Sequence, residues 1–191
     1  EYLVAIEQAA KTWPEAGLAP RWYAVTRDGG ATWSTAREAE TALLLRDGRT
    51  EPGQPLPAAL PGLAQAAAGH VFLVQFRTPS QPEWRQALAD SGAELLAFFP
   101  YNAHLVRIEP QRAAALAGLE FVERVEPFHP SYRLSWEVRD WLSGAAPARS
   151  DADGIATDER KDLRVTAFEW GPSVKERIVA RARDLGAEVL S

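Results

Sequence analysis

DSGAELL, residues 90–96, returns as DLGAEVL at residues 184–190, unchanged at every position but the second and sixth. Both copies sit at the same joint. An amphipathic helical pattern precedes the phrase, the glycine is placed to cap that helix, and apolar strand-like residues follow. Working outward from the first copy, HVFLVQF (residues 70–76) is a strand by its β-branched and aromatic content. Residues 82–91 form a helix with Trp84 and Leu88 four apart, and residues 93–99 a second strand. A turn at residues 100–102 leads to a third strand, 103–108. Pro110 opens a short helix, PQRAAALAGL, as proline does at a first helical position. FVERV, residues 121–125, is the fourth strand and stops at Pro127. The order βαββαβ predicts a ferredoxin-like α+β module: one antiparallel sheet with both helices on the same face.

The second copy has only half of this. LRVTAFEW (residues 163–170) alternates like a strand, and residues 173–185 carry Val174, Ile178, Ala182 and Leu185 on one helical stripe. Residues 187–191 begin another strand. The reading is therefore the first half of a second ferredoxin-like module. Half a sheet cannot cover its own core. Its missing strands are expected from another piece of chain, or the half packs on the first module.

The flanks are less regular. Residues 1–13 read as an amphipathic helix through Tyr2, Ile6, Ala9 and Trp13. RWYAVTRDGGATWST, residues 21–35, reads as a hairpin with its return strand around Trp33, and residues 36–46 as a helix. The expected organisation is an N-terminal α/β region at 1–48, a Pro/Gly-rich linker at 49–69, the first module at 70–135, a polar linker at 136–162 and the partial module at 163–191. Residues 136–141 are expected as a last helical turn or an edge segment.

Composition narrows the function. The 191 residues carry a net charge of −5, which argues against nucleic acid as the main partner. Cysteine is absent, so there is no disulfide framework and no thiolate metal site, a pattern that suits an exported protein. No apolar run approaches the length of a membrane span. Methionine is absent too, even at position 1, and the chain is expected to be a fragment or a processed product.

Three motifs invite a chemical reading. TRDGGATW (residues 26–33) fits an Asp-box, Ser/Thr-x-Asp-x-Gly-x-Thr-Trp, in which the aspartate bonds the turn's amides and the tryptophan packs under the hairpin. Repeated boxes mark sialidase-like propellers. A single box marks a well-made hairpin, although with the seven tryptophans it keeps a carbohydrate-binding or sialidase-like reading open. His70, His104 and His129 are the only histidines and show no metal-ligand spacing. His104 is expected to be packed and hydrogen-bonded in a strand, and no nucleophile–base pair is recognisable, so no catalytic residue, metal or cofactor is assigned. DADGIATDE (residues 151–159) has the carboxylate density of a calcium loop without its full ligand spacing.

One surface points outward. Two helices cover one face of a βαββαβ sheet, so Val71, Leu73 and Leu105 on the other face are expected to stand open and to dock on a partner. The segment FHPSYRLS, with Phe128, His129, Pro130, Tyr132 and Leu134, is expected to be an extended tail able to add to a partner's cleft edge.

NAHLVRIEP (residues 102–110) and FVERVEPFHPSYRLS (residues 121–135), preceded in order by VFLVQF and GAELL, resemble the propeptide of subtilisin-like serine proteases of the long bacterial type. The resemblance covers about a third of the chain well. It implies a ferredoxin-like propeptide that acts as intramolecular chaperone and inhibitor of the protease it precedes. The partner would be the cognate catalytic domain or the remainder of the same precursor, secreted or periplasmic. No part of a catalytic domain lies in these residues, so the chain would be non-catalytic by itself. The rival reading is a non-enzymatic structural or interaction module built of tandem ferredoxin-like units.

Overall fold

In the computed structural model the chain is a mixed α+β protein with antiparallel sheets. The structure describes residues 3–8, 21–45, 48–63, 69–143, 163–168 and 171–190. It divides into two compact units, residues 1–147 and 148–191. The division falls inside the expected linker at 136–162. The N-terminal region, the Pro/Gly-rich stretch and the first module thus belong to one unit.

The first unit is organised around a four-stranded sheet. Strand β6 (Val71–Phe76) leads to helix α1 (Pro82–Asp90), then β7 (Glu94–Phe99), β8 (Ala103–Arg107), helix α2 (Pro110–Leu116) and β9 (Val122–Pro127). Neighbours in the sheet run β7-β8-β6-β9, with every pairing antiparallel. Leu73 faces Leu105 at the centre of the β6–β8 pair. The β7–β8 hairpin turns on Tyr101 and Asn102, both at φ +63°, the primed geometry that matches strand twist. Phe72, Val74 and Phe76 point to one face and are buried with Leu88 of α1, Ala113 and Leu116 of α2, and Val106, Ile108 and Val122. Both helices therefore lie on this face. Trp84 belongs to the same core, stacked on Phe121 at 5.1 Å between centroids.

The N-terminal residues depart from expectation. Where the sequence predicts a helix over residues 1–13, Leu3–Gln8 is strand β1, paired antiparallel with β2 (Arg21–Thr26); the rest of that stretch lies outside the described residues. The return strand of the hairpin is β3 (Arg37–Ala39), not the stretch around Trp33. The predicted helix at 36–46 is also absent, replaced by β3 and by β4 (Leu43–Leu45), which pairs with β5 (Gly48–Thr50). The cause is burial with a period of two. Leu43 and Leu45 are 0 % and 4 % exposed while Leu44 is 46 % exposed, which a helix cannot arrange. The good helix formers here yield to tertiary packing. Beyond β9 the chain makes a 3-10 turn, Pro130–Arg133, and a short helix α3, Trp136–Leu142.

The second unit contains helix α4, Pro172–Asp184, entered through Gly171 at φ +123°. The helix–glycine joint of the repeated phrase folds the same way in both places. Ala93 N donates to Leu88 O (3.0 Å) and Gly92 N to Ala89 O (2.8 Å); Ala187 N donates to Ala182 O (3.0 Å) and Gly186 N to Arg183 O (2.8 Å). Gly92 and Gly186 stand at φ +85° and +84°. What differs is the next step. Residues 94–99 pair with β8, whereas residues 163–168 and 187–190 form no strand. A strand is defined by its neighbour, and the described residues of this unit supply none.

Candidate functional site

The surface singled out from sequence is the second face of the four-stranded sheet, and the chain covers it. Val71, Leu73 and Leu105 are 9 %, 0 % and 4 % exposed, and Phe128 3 %. The expectation that they stand open for a partner is overturned: residues 40–57, drawn from the end of the expected N-terminal region and the start of the expected linker, are bonded to this face. Gln75, on the same face of β6, donates through Nε2 to Thr41 O (3.0 Å), Ala42 O (3.3 Å) and Tyr101 O (3.3 Å). Asn102 Nδ2 donates to Glu40 O (2.9 Å), and Arg124 of β9 donates to Gln54 O (2.8 Å). Tyr132 Oη donates to Pro57 O. Backbone carbonyls of residues 40–57 are thereby fixed over the sheet by side chains of β6, β9 and the two flanking turns. Sequence reading missed Gln75, Asn102 and Arg124 in this role. The signal was a glutamine in the middle of an otherwise apolar strand.

The tail is not extended. His129 caps the 3-10 turn, its Nδ1 accepting from Ser131 N (3.2 Å), and Pro130 occupies the first position of the turn. The Tyr132 ring meets those of Phe128 and His129 at 5.7 and 6.0 Å. His129, Pro130, Tyr132 and Leu134 remain partly exposed, so this turn presents a surface although it is no free strand. The outer edge of β7 also faces outward, with Phe98 67 % exposed.

The three histidines are dispersed. His70 Nδ1 lies 3.3 Å from Glu109 Oε2 at the surface. His104 is buried in β8, as expected, but it meets a residue the sequence did not suggest: Ser80 Oγ lies 3.1 Å from its Nε2. This is nucleophile–base distance. The surroundings favour a packing link instead. Arg85 donates to Ser80 Oγ (3.2 Å), and the Phe76 and Phe98 rings stand edge-on to the imidazole at 5.6 Å. Burial first, and the Arg85 charge second, hold the imidazole below its ordinary pKa. No carboxylate bonds to the ring among the described residues, so a third group that would orient a base is missing.

The loop of residues 26–33 has the internal bonding its sequence implies. Asp28 Oδ1 accepts from Thr32 N (2.9 Å) and from Thr26 Oγ1 (2.7 Å), and Oδ2 accepts from Thr32 Oγ1 (2.6 Å). Gly30 N donates to Thr26 Oγ1 (3.0 Å). These bonds, Thr32's first, hold the Asp28 carboxyl far below the usual carboxylate range. Trp33 does not pack beneath the hairpin as expected. It is 45 % exposed, its ring beside Gly30.

In the second unit an open groove of about 830 Å³ runs between α4 and its flanks, lined by Leu163, Val165, Val174, Ile178, Val189 and Leu190 among others. Leu163, Val165, Leu185 and Leu190 are exposed, and α4 buries no residue. No group of acidic or histidine side chains among the described residues could hold a metal ion, and the acidic stretch at 151–159 lies outside them. No described helix is long and apolar enough to cross a membrane.

Residues 43–129 match a family described as Domain of unknown function (DUF8729). The match begins on the first residue of β4 and ends just past β9. It therefore takes in the four-stranded sheet and the covering segment from Leu43 onward, but not Glu40, Thr41 and Ala42. No curated protein and no solved structure matches the chain.

Proposed function

We propose that this chain is a prosegment of an exported, subtilisin-like serine protease. It assists folding of the cognate catalytic domain and inhibits it, and it has no peptidase activity of its own. In this reading residues 71–127 are a ferredoxin-like module. The observation that carries it is the coincidence of phrase and topology. NAHLVRIEP runs along β8 into α2, and FVERVEPFHPSYRLS runs along β9 into the capped turn, within the order βαββαβ and the neighbour order β7-β8-β6-β9. The covered sheet face alters how such a prosegment docks. Residues 40–57 occupy the face, so the contact falls to the outer edge of β7, where Phe98 is exposed, and to the turn at His129, Pro130, Tyr132 and Leu134. An edge strand offers its unpaired backbone to a partner strand. The remainder of the precursor would cover the apolar stripe of α4.

The test is genetic and then biochemical. The reading frame that encodes these residues should continue into a domain with the Asp, His and Ser motifs of a subtilisin-like triad. That domain, refolded with and without this chain, should recover activity only with it. A frame lacking such a domain, or equal recovery in both arms, overturns the reading. A second reading, a non-enzymatic interaction module, is favoured by the uncovered stripe of α4 and predicts no inhibition of any protease.

A further inference from the structure

We infer that a water molecule is built into the layer between the four-stranded sheet and residues 40–57, held between Gln75 and Arg124. Among the described residues, Gln75 Oε1 and Arg124 Nη1 are shielded from solvent, and neither is hydrogen-bonded to another group of the chain. The first is an acceptor and the second a donor. A shielded polar atom is ordinarily bonded either to protein or to an ordered water. The strand register brings the two residues together. Gln75 of β6 stands directly opposite Arg124 of β9, so both side chains leave the same face of the sheet, from Cβ atoms ~5 Å apart.

The far ends of the two side chains converge as well. Gln75 Nε2 donates to Thr41 O and Ala42 O, just ahead of β4. Arg124 Nη2 donates to Gln54 O and, at 3.5 Å, to Glu51 O, just past β5. Leu43 pairs with Thr50, so the base of this hairpin sets residue 42 beside residue 51. Gln75 and Arg124 thus grip the two legs of one hairpin, and their unbonded atoms share one enclosed layer. Gln75 gains nothing by turning its amide over, because its oxygen would then face the three carbonyls that Nε2 now serves. The chemistry selects the occupant. It must donate to an amide oxygen and accept from a guanidinium N–H. Arg124 repels a cation, and Gln75 Oε1 has nothing to offer an anion. A water does both, and a polar layer with at least two partners is where buried water is held.

Two measurements on the whole chain test this. A crystal structure fine enough to place ordered waters should show one within hydrogen-bond distance of both Gln75 Oε1 and Arg124 Nη1. In solution, oxygen-17 magnetic relaxation dispersion counts long-lived buried waters. The count should fall by one in Gln75→Leu and in Arg124→Met, which remove the acceptor and the donor separately. It should be unchanged in Gln86→Leu, which alters an exposed glutamine of α1. Circular dichroism would verify that the variants fold, and the crystal measurement needs no variant. A direct bond between Gln75 and Arg124, no water touching both atoms, a bromide in that place after a halide soak, or a count unmoved by both substitutions overturns the proposal.

Discussion

Gln75 decides more at the residue scale than any apolar neighbour. It is buried at the centre of the sheet, and its amide is the donor for three backbone carbonyls from two segments. Gln75→Leu keeps the size but leaves those carbonyls without their donor, and each unsatisfied buried group costs ~1–3 kcal/mol. Urea denaturation should show a loss of that order, and Gln75→Glu, which cannot donate while ionised, a larger one. A Gln75→Leu variant as stable as the parent would mean that the cover is held by apolar contact alone. His104 gives a pH signature. Its folded pKa lies below its unfolded value, near 6.5. As pH falls through that value the unfolded chain takes up a proton that the buried site refuses, so stability drops on the acid side and is flat above it. Replacing His104 by Gln should remove this part of the pH dependence, read as the midpoint of thermal unfolding between pH 7.5 and 5.

At the scale of elements, β4 and the repeated helix–glycine joint show where local preference yields and where it holds. The stretch around Leu43 has helix-forming residues, yet its leucines alternate between core and solvent. Leu43→Ala should cost about 2–5 kcal/mol, as buried leucine truncations do, while Leu44→Ala should fall within about 0.5 kcal/mol of the parent. A helix would not bury Leu43 and Leu45 while exposing the residue between them. The joint is different, because its geometry is local. Gly92 and Gly186 adopt the same left-handed conformation, which costs other residues roughly 1–2 kcal/mol. At Gly92 a Cβ would also collide with the Arg112 guanidinium, and at Gly186 it would meet nothing. Gly92→Ala should therefore destabilise the first unit by at least the conformational cost, with Arg112 displaced. Gly186→Ala should shorten α4 at its C-terminal end without further penalty, measured by amide exchange at residues 185–187.

At the scale of the whole molecule, the sheet has helices on one face and residues 40–57 on the other. A chain starting at residue 70 would uncover Val71, Leu73 and Leu105 together. It should bind the dye ANS and aggregate, whereas a chain starting at residue 37 should do neither. Equal behaviour would mean that the cover is dispensable. For the second unit, isolated residues 163–191 should be largely unprotected against hydrogen exchange, since burying one Val or Ile side chain is worth ~1.5–3 kcal/mol and α4 buries none. In the precursor that we propose, the same amides should be protected. Strong protection in the fragment would show that the half-unit is self-sufficient.

The sequence alone determined what depends on near neighbours along the chain. The four strands and two helices of residues 71–127 announced themselves through β-branched and aromatic content at Val71–Phe76, prolines at the first turns of α1 and α2, and glycine after α1. So did the bonding around Asp28, which spans only residues 26–32. What only the tertiary structure decided was contact between residues far apart in sequence. Leu3–Gln8 is a strand because Arg21–Thr26 lies beside it, and the carbonyls of Thr41 and Ala42, just ahead of β4, are fixed by Gln75, far along the chain. Ser80 meets His104, and the face expected to stand open is closed, for the same reason. Periodicity reports which side of an element is apolar. It carries no record of which distant segment fills that side, because the hydrophobic effect that brings them together has no direction of its own.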